Sequence, residues 1–258
     1  MRLLRILLAL PFVIAASDVP VVVPVPAEKP ASEPGKQPQA EAEAPDADEQ
    51  PPKKKEEDEP DPAPPPDPPP PKPDEAALAA CELELEALGV DFERTEAVDG
   101  AGSCGLPATY RVEEILRGVS LAPDTRMRCA TALATAEWVR EVVVPAAKVL
   151  GEDVRLTGIR HASTYVCRNR NGKAGAKISQ HALGNAIDIR TFEFDGHPPL
   201  SIEPRSRTGS VEEGFQKAVQ AGACLHFTTV LGPGSDAYHD DHLHLDLARR
   251  SRGFRLCQ

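Results

Sequence analysis

The stretch SQHALGNAIDIR, residues 179–190, places a histidine seven positions before an aspartate that interrupts an apolar run. The apolar residues around Asp188 are typical of a buried strand. Burying a bare carboxylate costs several kcal/mol, so Asp188 needs a strong partner elsewhere in the chain. Because alternate residues of a strand share a face, Asp188 is expected on one side of the strand, with Ile187 and Ile189 on the other.

A second stretch, DHLHLDL at residues 241–247, alternates in the same way. Its apolar face carries Leu243, Leu245 and Leu247, and its polar face carries His242, His244 and Asp246. Each of the two strands therefore has one side for the core and one side with metal-ligand chemistry.

If these two strands are neighbours, Asp188 and His244 converge. His181 can then reach them from the preceding loop, which Gly184 allows to turn tightly. Two imidazoles and one carboxylate leave a fourth tetrahedral position for water, the open arrangement of catalytic zinc. In the alternative interpretation the histidines are ordinary hydrogen-bonded groups and Asp188 pairs with Arg168 or Arg190. The metal site is favoured because all seven histidines lie beyond residue 160.

The N-terminus has the plan of a secretory signal peptide, predicted over residues 1–17. Two arginines precede an apolar run that ends in small residues. The run is short for a membrane span, and no later segment is long and apolar enough to cross a bilayer. An uncleaved N-terminal anchor is the alternative. The mature protein is therefore expected outside the cytoplasm, in the periplasm or beyond the cell.

Residues 18–74 form a segment of biased composition. It contains 19 of the 27 prolines, 15 acidic residues against 6 lysines, and no aromatic residue. Such a segment cannot bury enough apolar surface to offset chain entropy, so a disordered, extended linker is predicted. It is interpreted as a solvated tether, with a ligand for a proline-binding domain or a spacer across a wall layer as alternatives.

The fold is expected within residues 75–258. This part is only mildly acidic, which argues against a nucleic-acid partner. Its cysteine content, six residues in an exported chain, indicates three disulfide bonds, for which fifteen pairings are possible. Pairing between successive cysteines is the working hypothesis, with Cys224–Cys257 holding the C-terminus.

Residue patterns predict an α+β domain in which helices come first and strands follow. We expect a small antiparallel sheet with a zinc site on one face, helices packed around it and disulfides holding them together. One predicted helix is capped by Asp74 and ends at Gly89. A second runs from Thr125 to Leu150 with a kink near Pro145. A third starts at a capping box of Ser210 and Glu213 and buries Phe215, Ala218 and Val219. Strands are predicted at 154–159, 186–192, 226–231 and 242–247.

Two motifs resemble a known group of enzymes. The S-x-H-x-x-G-x-A-x-D signature of D-Ala-D-Ala metallopeptidases is matched by Ser179, His181, Gly184, Ala186 and Asp188. The H-x-x-H-x-H spacing of the penicillin-insensitive murein endopeptidase is matched by His239, His242 and His244. Both belong to a superfamily shared with lysostaphin and the hedgehog signalling domain. The region from Cys81 to Cys257 as a whole resembles the bacterial extensin-like C-terminal domain, through the stretches YVCRNRNG, SQHALGNAIDI and CLHFTTVLGPGSDAYHDDHLHLDL.

This resemblance implies a role for each matched residue. The zinc ligands would be His181, Asp188 and His244. The active-site histidines would be His242 and His239, and Arg168 would lie near the scissile carbonyl. The D-Ala-D-Ala enzymes carry a glutamate three residues before the last ligand, where this chain has Asp241. That departure leaves the general base open between Asp241 and His242.

The expected function is hydrolysis of peptide bonds in cell-wall peptidoglycan by an exported zinc enzyme, of carboxypeptidase or endopeptidase type. One alternative is an inactive, metal-containing module that binds wall peptides. Another is a structural or tethering protein whose histidines form a polar core. For the enzyme, His242 is predicted as the proton shuttle, held by His239 or Asp246, because an imidazole exchanges protons readily near neutral pH.

Overall fold

The computed structural model describes residues 72–173, 175–205 and 207–258. The predicted signal peptide and all but the last three residues of the predicted linker lie outside the described residues. A search of the described helices finds none with the length and hydropathy needed to span a membrane.

The first helix, α1, spans Glu75–Leu88 as predicted. Its first turn is capped by the carboxylate of Asp74, which accepts a hydrogen bond from the backbone N–H of Ala76 at 3.0 Å. The helix ends at Gly89, whose φ of +75° is the left-handed conformation favoured at this position.

The second helical segment consists of four consecutive pieces. They are α2 at Cys129–Trp138, a π-helical stretch at Val139–Val143, α3 at Val144–Ala147 and a 3₁₀ turn at Lys148–Leu150. The predicted start at Thr125 is wrong. Its hydroxyl accepts a hydrogen bond from Val112 N at 2.6 Å, and Met127 pairs with the backbone of Tyr110, so these residues are extended. Just before Pro145, where a kink is predicted, the helix contains the π-helical stretch Val139–Val143, because proline cannot donate to the preceding turn.

The last helix, α4, spans Val211–Ala223 and is capped by Ser210, whose hydroxyl accepts from Glu213 N at 3.2 Å. Phe215 and Val219 are fully buried as predicted. The prediction for Ala218 is wrong: its side chain is exposed, because the buried face of α4 turns through Gln216 instead.

Eleven strands are present among the described residues. They are β1 Asp91–Thr95, β2 Val98–Asp99, β3 Gly105–Leu106, β4 Thr109–Leu116, β5 Val119–Ala122, β6 Arg155–Ser163, β7 Ala186–Asp195, β8 Leu200–Ser201, β9 Thr229–Leu231, β10 Leu243–Asp246 and β11 Leu256–Cys257. The four predicted strands correspond to β6, β7, β9 and β10.

Nine of these strands form one sheet in the order β1-β4-β5-β6-β7-β10-β9-β11, with β8 added to β7. The α+β class is confirmed, but the expectation of a small antiparallel sheet is wrong. The β5–β6 and β9–β11 pairs are parallel. The expectation that helices precede strands is also wrong, because β1–β5 lie between α1 and α2.

The hydrophobic core lies between the helices and one face of the sheet. Trp138 of α2 contacts Phe192 of β7 at 6.1 Å between ring centroids, and Phe192 contacts Phe215 of α4 at 5.1 Å. Ile187 and Ile189 join the same core. The apolar side of β7 therefore faces the helices, which leaves its other side for Asp188.

The three expected disulfide bonds are formed as Cys81–Cys129, Cys104–Cys167 and Cys224–Cys257. Successive pairing is confirmed for Cys224–Cys257 and wrong for the other four cysteines. Tertiary packing is the reason: Cys81 lies on α1 and Cys129 at the start of α2, and the Leu78–Cys81–Leu88 side of α1 packs against the core that α2 joins.

Candidate metal centre

The site is built on the pairing of β7 with β10. These strands are antiparallel neighbours, and His244 lies directly opposite Asp188 in the register. The predicted convergence of the two residues is confirmed. Their strand neighbours Ile187 and Leu245 are fully buried in the core, so the two polar side chains project from the opposite face.

His181 reaches the same point from a 3₁₀ turn, His181–Leu183, which ends at Gly184. Glycine is required there, because φ is +61° and a Cβ would lie 2.5 Å from Leu106 Cδ2. The carbonyl of Gly184 accepts hydrogen bonds from Arg128 N and Thr131 Oγ1, at 2.9 and 3.0 Å. The turn that carries His181 is thereby anchored to the start of α2.

Three ligand-type atoms meet at this point: Nε2 of His181, Oδ1 of Asp188 and Nδ1 of His244. The distance from His181 Nε2 is 3.1 Å to Asp188 Oδ1 and 3.1 Å to His244 Nδ1. The remaining distance, from His244 Nδ1 to Asp188 Oδ1, is 2.9 Å. The imidazole of His181 is completely buried and Asp188 is nearly so.

The outward-facing atoms of both rings are also bonded. His181 Nδ1 donates to the backbone carbonyl of Thr164 at 2.7 Å, and His244 Nε2 donates to Asp246 Oδ2 at 3.0 Å. In neutral rings these bonds leave lone pairs on His181 Nε2 and His244 Nδ1, both facing the Asp188 carboxylate. Three electron-pair donors this close repel one another unless a cation lies among them.

The pKa values agree with this need for positive charge. Burial would raise the pKa of Asp188, but hydrogen bonds from His181 and His244 hold it well below its ordinary value. Burial would lower the pKa of His244, but hydrogen bonds to Asp188 and Asp246 raise it to about 9. Either a proton or a metal ion can supply the charge. The donor set, two imidazoles and one carboxylate with ordered outer partners, fits zinc.

His242 lies beside this cluster, with its Nε2 3.7 Å from Asp188 Oδ1. The expectation that His239 or Asp246 holds His242 is wrong. Its Nδ1 donates instead to Asp241 Oδ1 at 2.9 Å. Strand pairing begins only at Leu243, so residues 241 and 242 lie in a turn and the alternation of a strand does not separate their side chains.

His239 lies next to the other two histidines of its motif. Its ring centroid is 5.3 Å from that of His242 and 5.8 Å from that of His244. Nδ1 of His239 contacts Asp236 Oδ1 at 2.7 Å. Burial lowers the pKa of His239 despite the nearby carboxylate of Asp236, so its ring is readily neutral. The structure therefore brings His239 close to the cluster without placing it in contact with Asp188.

A cleft of about 540 Å³ opens onto the cluster, and Arg168 is among its lining residues. The side chain of Arg168 forms no ion pair with an acidic group in the described part of the chain. Arg190 pairs with Asp241, at 2.5 Å between Nη2 and Oδ2. Neither arginine is therefore the partner of Asp188, whose partners are the histidines.

Three contributors to the site were not predicted. The carbonyl of Thr164 has no side-chain signal, so only the fold reveals it. Asp236 lies three residues before His239, a spacing that could have indicated its contact. Arg250 lines the cleft from the segment after β10, and nothing in the local sequence distinguishes it from its neighbour Arg249.

Comparison with known proteins identifies one family. Residues 79–258, which are more than half of the chain, match the family described as extensin-like protein C-terminus. Neither the curated proteins nor the solved structures contain a match to the chain.

Proposed function

The chain belongs to the family of extensin-like protein C-termini, and we propose that it is an exported zinc-dependent hydrolase of peptide bonds in cell-wall peptidoglycan. The observation that carries the proposal is the buried cluster of His181, Asp188 and His244 at the base of a cleft. Its outer hydrogen bonds direct the lone pairs of both imidazoles inward. The three disulfide bonds support export, because such bonds persist mainly in oxidising compartments.

A zinc ion held by the three residues would polarise a peptide carbonyl and make water acidic enough to react near neutral pH. The protein's own contribution to proton transfer would come from His242. Because its Nδ1–H is bonded to Asp241, its Nε2 carries the lone pair and lies on the side of Asp188. A histidine oriented in this way by a carboxylate can accept a proton and return it to the leaving amine.

Arg168 would bind the substrate carbonyl. Arg168 lines the cleft, and its side chain forms no ion pair with a carboxylate of the described residues. A cation at this place would stabilise the negative charge that develops on the carbonyl oxygen as the peptide bond is attacked. The backbone carbonyl of Arg168 accepts from Ser179 N at 3.1 Å, which ties its loop to the segment that carries His181.

The peptidoglycan substrate is supported by resemblance. The signature around His181 and Asp188 is that of D-Ala-D-Ala metallopeptidases, and the histidine spacing ending at His244 is that of a murein endopeptidase. Both kinds of enzyme cut wall peptides. The cleft of about 540 Å³ beside the cluster offers room for part of such a peptide.

A second function, binding of wall peptides without hydrolysis, is favoured by one observation. The related carboxypeptidases have a glutamate where this chain has Asp241, and the Asp241 carboxylate bonds to His242 and Arg190 rather than reaching the Asp188 cluster. Asp241 is therefore not placed to act as a base beside the cluster. Activity depends on whether His242 serves instead.

Metal analysis and a turnover assay on purified muropeptides test both functions. The enzyme should contain one zinc per chain and hydrolyse the muropeptides. A chelator should abolish product formation, and added zinc should restore it. Asp188→Ala should lose zinc and turnover, whereas His197→Gln, a histidine that does not line the cleft, should keep both. Zinc without turnover would support the binding module. A wild-type protein without zinc would refute both proposals.

A further inference from the structure

The carboxylates that line the cleft have hydrogen-bond partners within it, whereas the arginines that line it have no ion-pair partner among the described residues. The carboxylates are those of Asp188, Asp236 and Asp246, and each is hydrogen-bonded to a histidine ring. The cations are the guanidinium groups of Arg168, Arg170 and Arg250. None of these three arginines forms an ion pair with an acidic residue in the part of the chain that the structure describes. The cleft thus retains positive charge that its own carboxylates do not neutralise.

Arg250 is the arginine whose position is best defined. Its Nη2 donates to Thr229 Oγ1 at 2.6 Å, and its Cζ lies 5.9 Å from the ring centroid of Phe254. Its Nε is buried and has no hydrogen-bond partner among the described residues. A guanidinium carries five N–H donors in a planar fork. With Nε buried and one N–H of Nη2 bonded to Thr229, the two N–H groups of Nη1 and the second N–H of Nη2 remain to donate to an incoming group. Such a fork binds a carboxylate through two parallel hydrogen bonds.

The place of Arg250 relative to the metal centre follows from the sheet. Thr229 of β9 is in register with Asp246 of β10, and Asp246 bonds to the ligand His244. Arg250 therefore lies beside the strand pair that carries the last ligand. Arg168 and Arg170, in contrast, come from the chain segment before His181. The three arginines without an ion-pair partner in the described part of the chain consequently come from segments next to two of the three proposed ligands, His181 and His244.

We propose that Arg250 forms a carboxylate-binding subsite of the cleft, so that the preferred substrates are peptides with free carboxylate groups rather than amidated ones. This inference rests on the proposed function, because it names the substrate class of the same cleft. The residue would bind substrate and would take no part in proton transfer. Its removal should therefore weaken peptide binding and leave zinc content unchanged.

The experiment compares two dye-labelled stem pentapeptides ending in D-Ala-D-Ala, one with free carboxylates and one with the same groups converted to carboxamides. Binding to the full chain is measured by fluorescence anisotropy in the presence of a chelator, so that the result does not depend on turnover. We expect the carboxylate peptide to bind about 10-fold more tightly than the amide. In Arg250→Met this difference should disappear. Arg249→Met, which removes a neighbouring exposed arginine outside the cleft, should preserve it.

Arg250→Gln provides a second variant that keeps a donor for Thr229 but lacks the charge, and it should also lose the preference. Circular dichroism of each variant confirms that it is folded. The proposal is overturned if wild-type protein binds both peptides equally, if it binds neither, or if a folded Arg250 variant retains the preference. If the protein prefers the carboxylate peptide but hydrolyses no muropeptide, the proposed hydrolase function fails and the carboxylate-binding subsite remains supported.

Discussion

Replacement of Asp246 by asparagine should weaken zinc binding at the proposed site, although it removes none of the three proposed ligands. Asp246 is 5% exposed, and both of its carboxylate oxygens accept hydrogen bonds. Oδ2 accepts from His244 Nε2 at 3.0 Å, and Oδ1 accepts from the backbone N–H of Ala248 at 2.9 Å. Asparagine offers one oxygen and one NH₂ group. In one of the two contacts the NH₂ group of asparagine must therefore face the N–H group of His244 or of Ala248, and no hydrogen bond can form there.

The size of the effect follows from this mismatch. If the amide oxygen stays with Ala248, the NH₂ group faces His244 Nε2–H, and the ring must rotate away from the position that aims Nδ1 at the metal. Loss of such an outer partner typically lowers metal affinity by about 10- to 100-fold, which is roughly 1.4–2.8 kcal/mol. The removed negative charge also makes the His244 ring a weaker electron donor.

Competition with a chelating dye measures the zinc affinity of the wild type and of each variant. Asp236→Asn is the matched control, because Asp236 lines the same cleft and bonds to His239, which is not one of the three proposed ligands. Its affinity should remain near that of the wild type. Unchanged zinc affinity in a folded Asp246→Asn protein would refute the role of Asp246, and an equal loss in both variants would show a general effect of cleft charge.

Three further results are expected. His242→Ala should reduce muropeptide turnover by about 10² or more while zinc stays bound. Asp241→Asn should reduce turnover far less, because its amide oxygen can still accept a hydrogen bond from His242 Nδ1. Kinetic measurements with metal analysis check both variants, and the reverse ranking would assign the base to Asp241. Truncation to residues 72–258 should leave the melting temperature in calorimetry nearly unchanged, since Asp74 and the core are retained; a large drop would show that residues 1–71 contribute to folding. The hydrogen bond from Lys217 and further backbone contacts lower the pKa of Glu213 to about 2. Its contribution to stability should be complete above pH 4.5 and be lost as the pH falls toward 2, so urea unfolding of Glu213→Gln should show a weaker dependence on acid pH than the wild type.

The face of each strand in the site could be predicted because alternation and burial act together. A slip of one residue in β7 would expose Ile187 and Ile189 and place Asp188 in the core. That penalty is large, so the local pattern determines which way Asp188 points. The same reasoning applies to His244 between Leu243 and Leu245, and the register of β7 with β10 confirms it.

Other features depend on information that a local pattern lacks. The side chain of Asp241 could not be placed by strand parity, because pairing starts at Leu243 and the turn before it has its own geometry. The pairing of Cys81 with Cys129 depends on how two helices pack. Strand β4 shows the converse case, since buried Tyr110 and Val112 alternate with exposed Arg111 and Glu113 and its sequence alone therefore indicates a strand.

The cluster of His181, Asp188 and His244 requires a positive charge among its three donor atoms, because its geometry keeps them close together. The two strands fix Asp188 and His244, and the turn that bears His181 is anchored through Gly184 and Thr164, so none of the three side chains can easily move apart. Rigid, buried electron-pair donors at 2.9–3.1 Å are stable only with a positive charge among them. When that charge is a proton, it must leave before a metal binds. If the cluster holds zinc as proposed, its affinity for the metal should increase as the pH rises, because fewer protons then compete for His244.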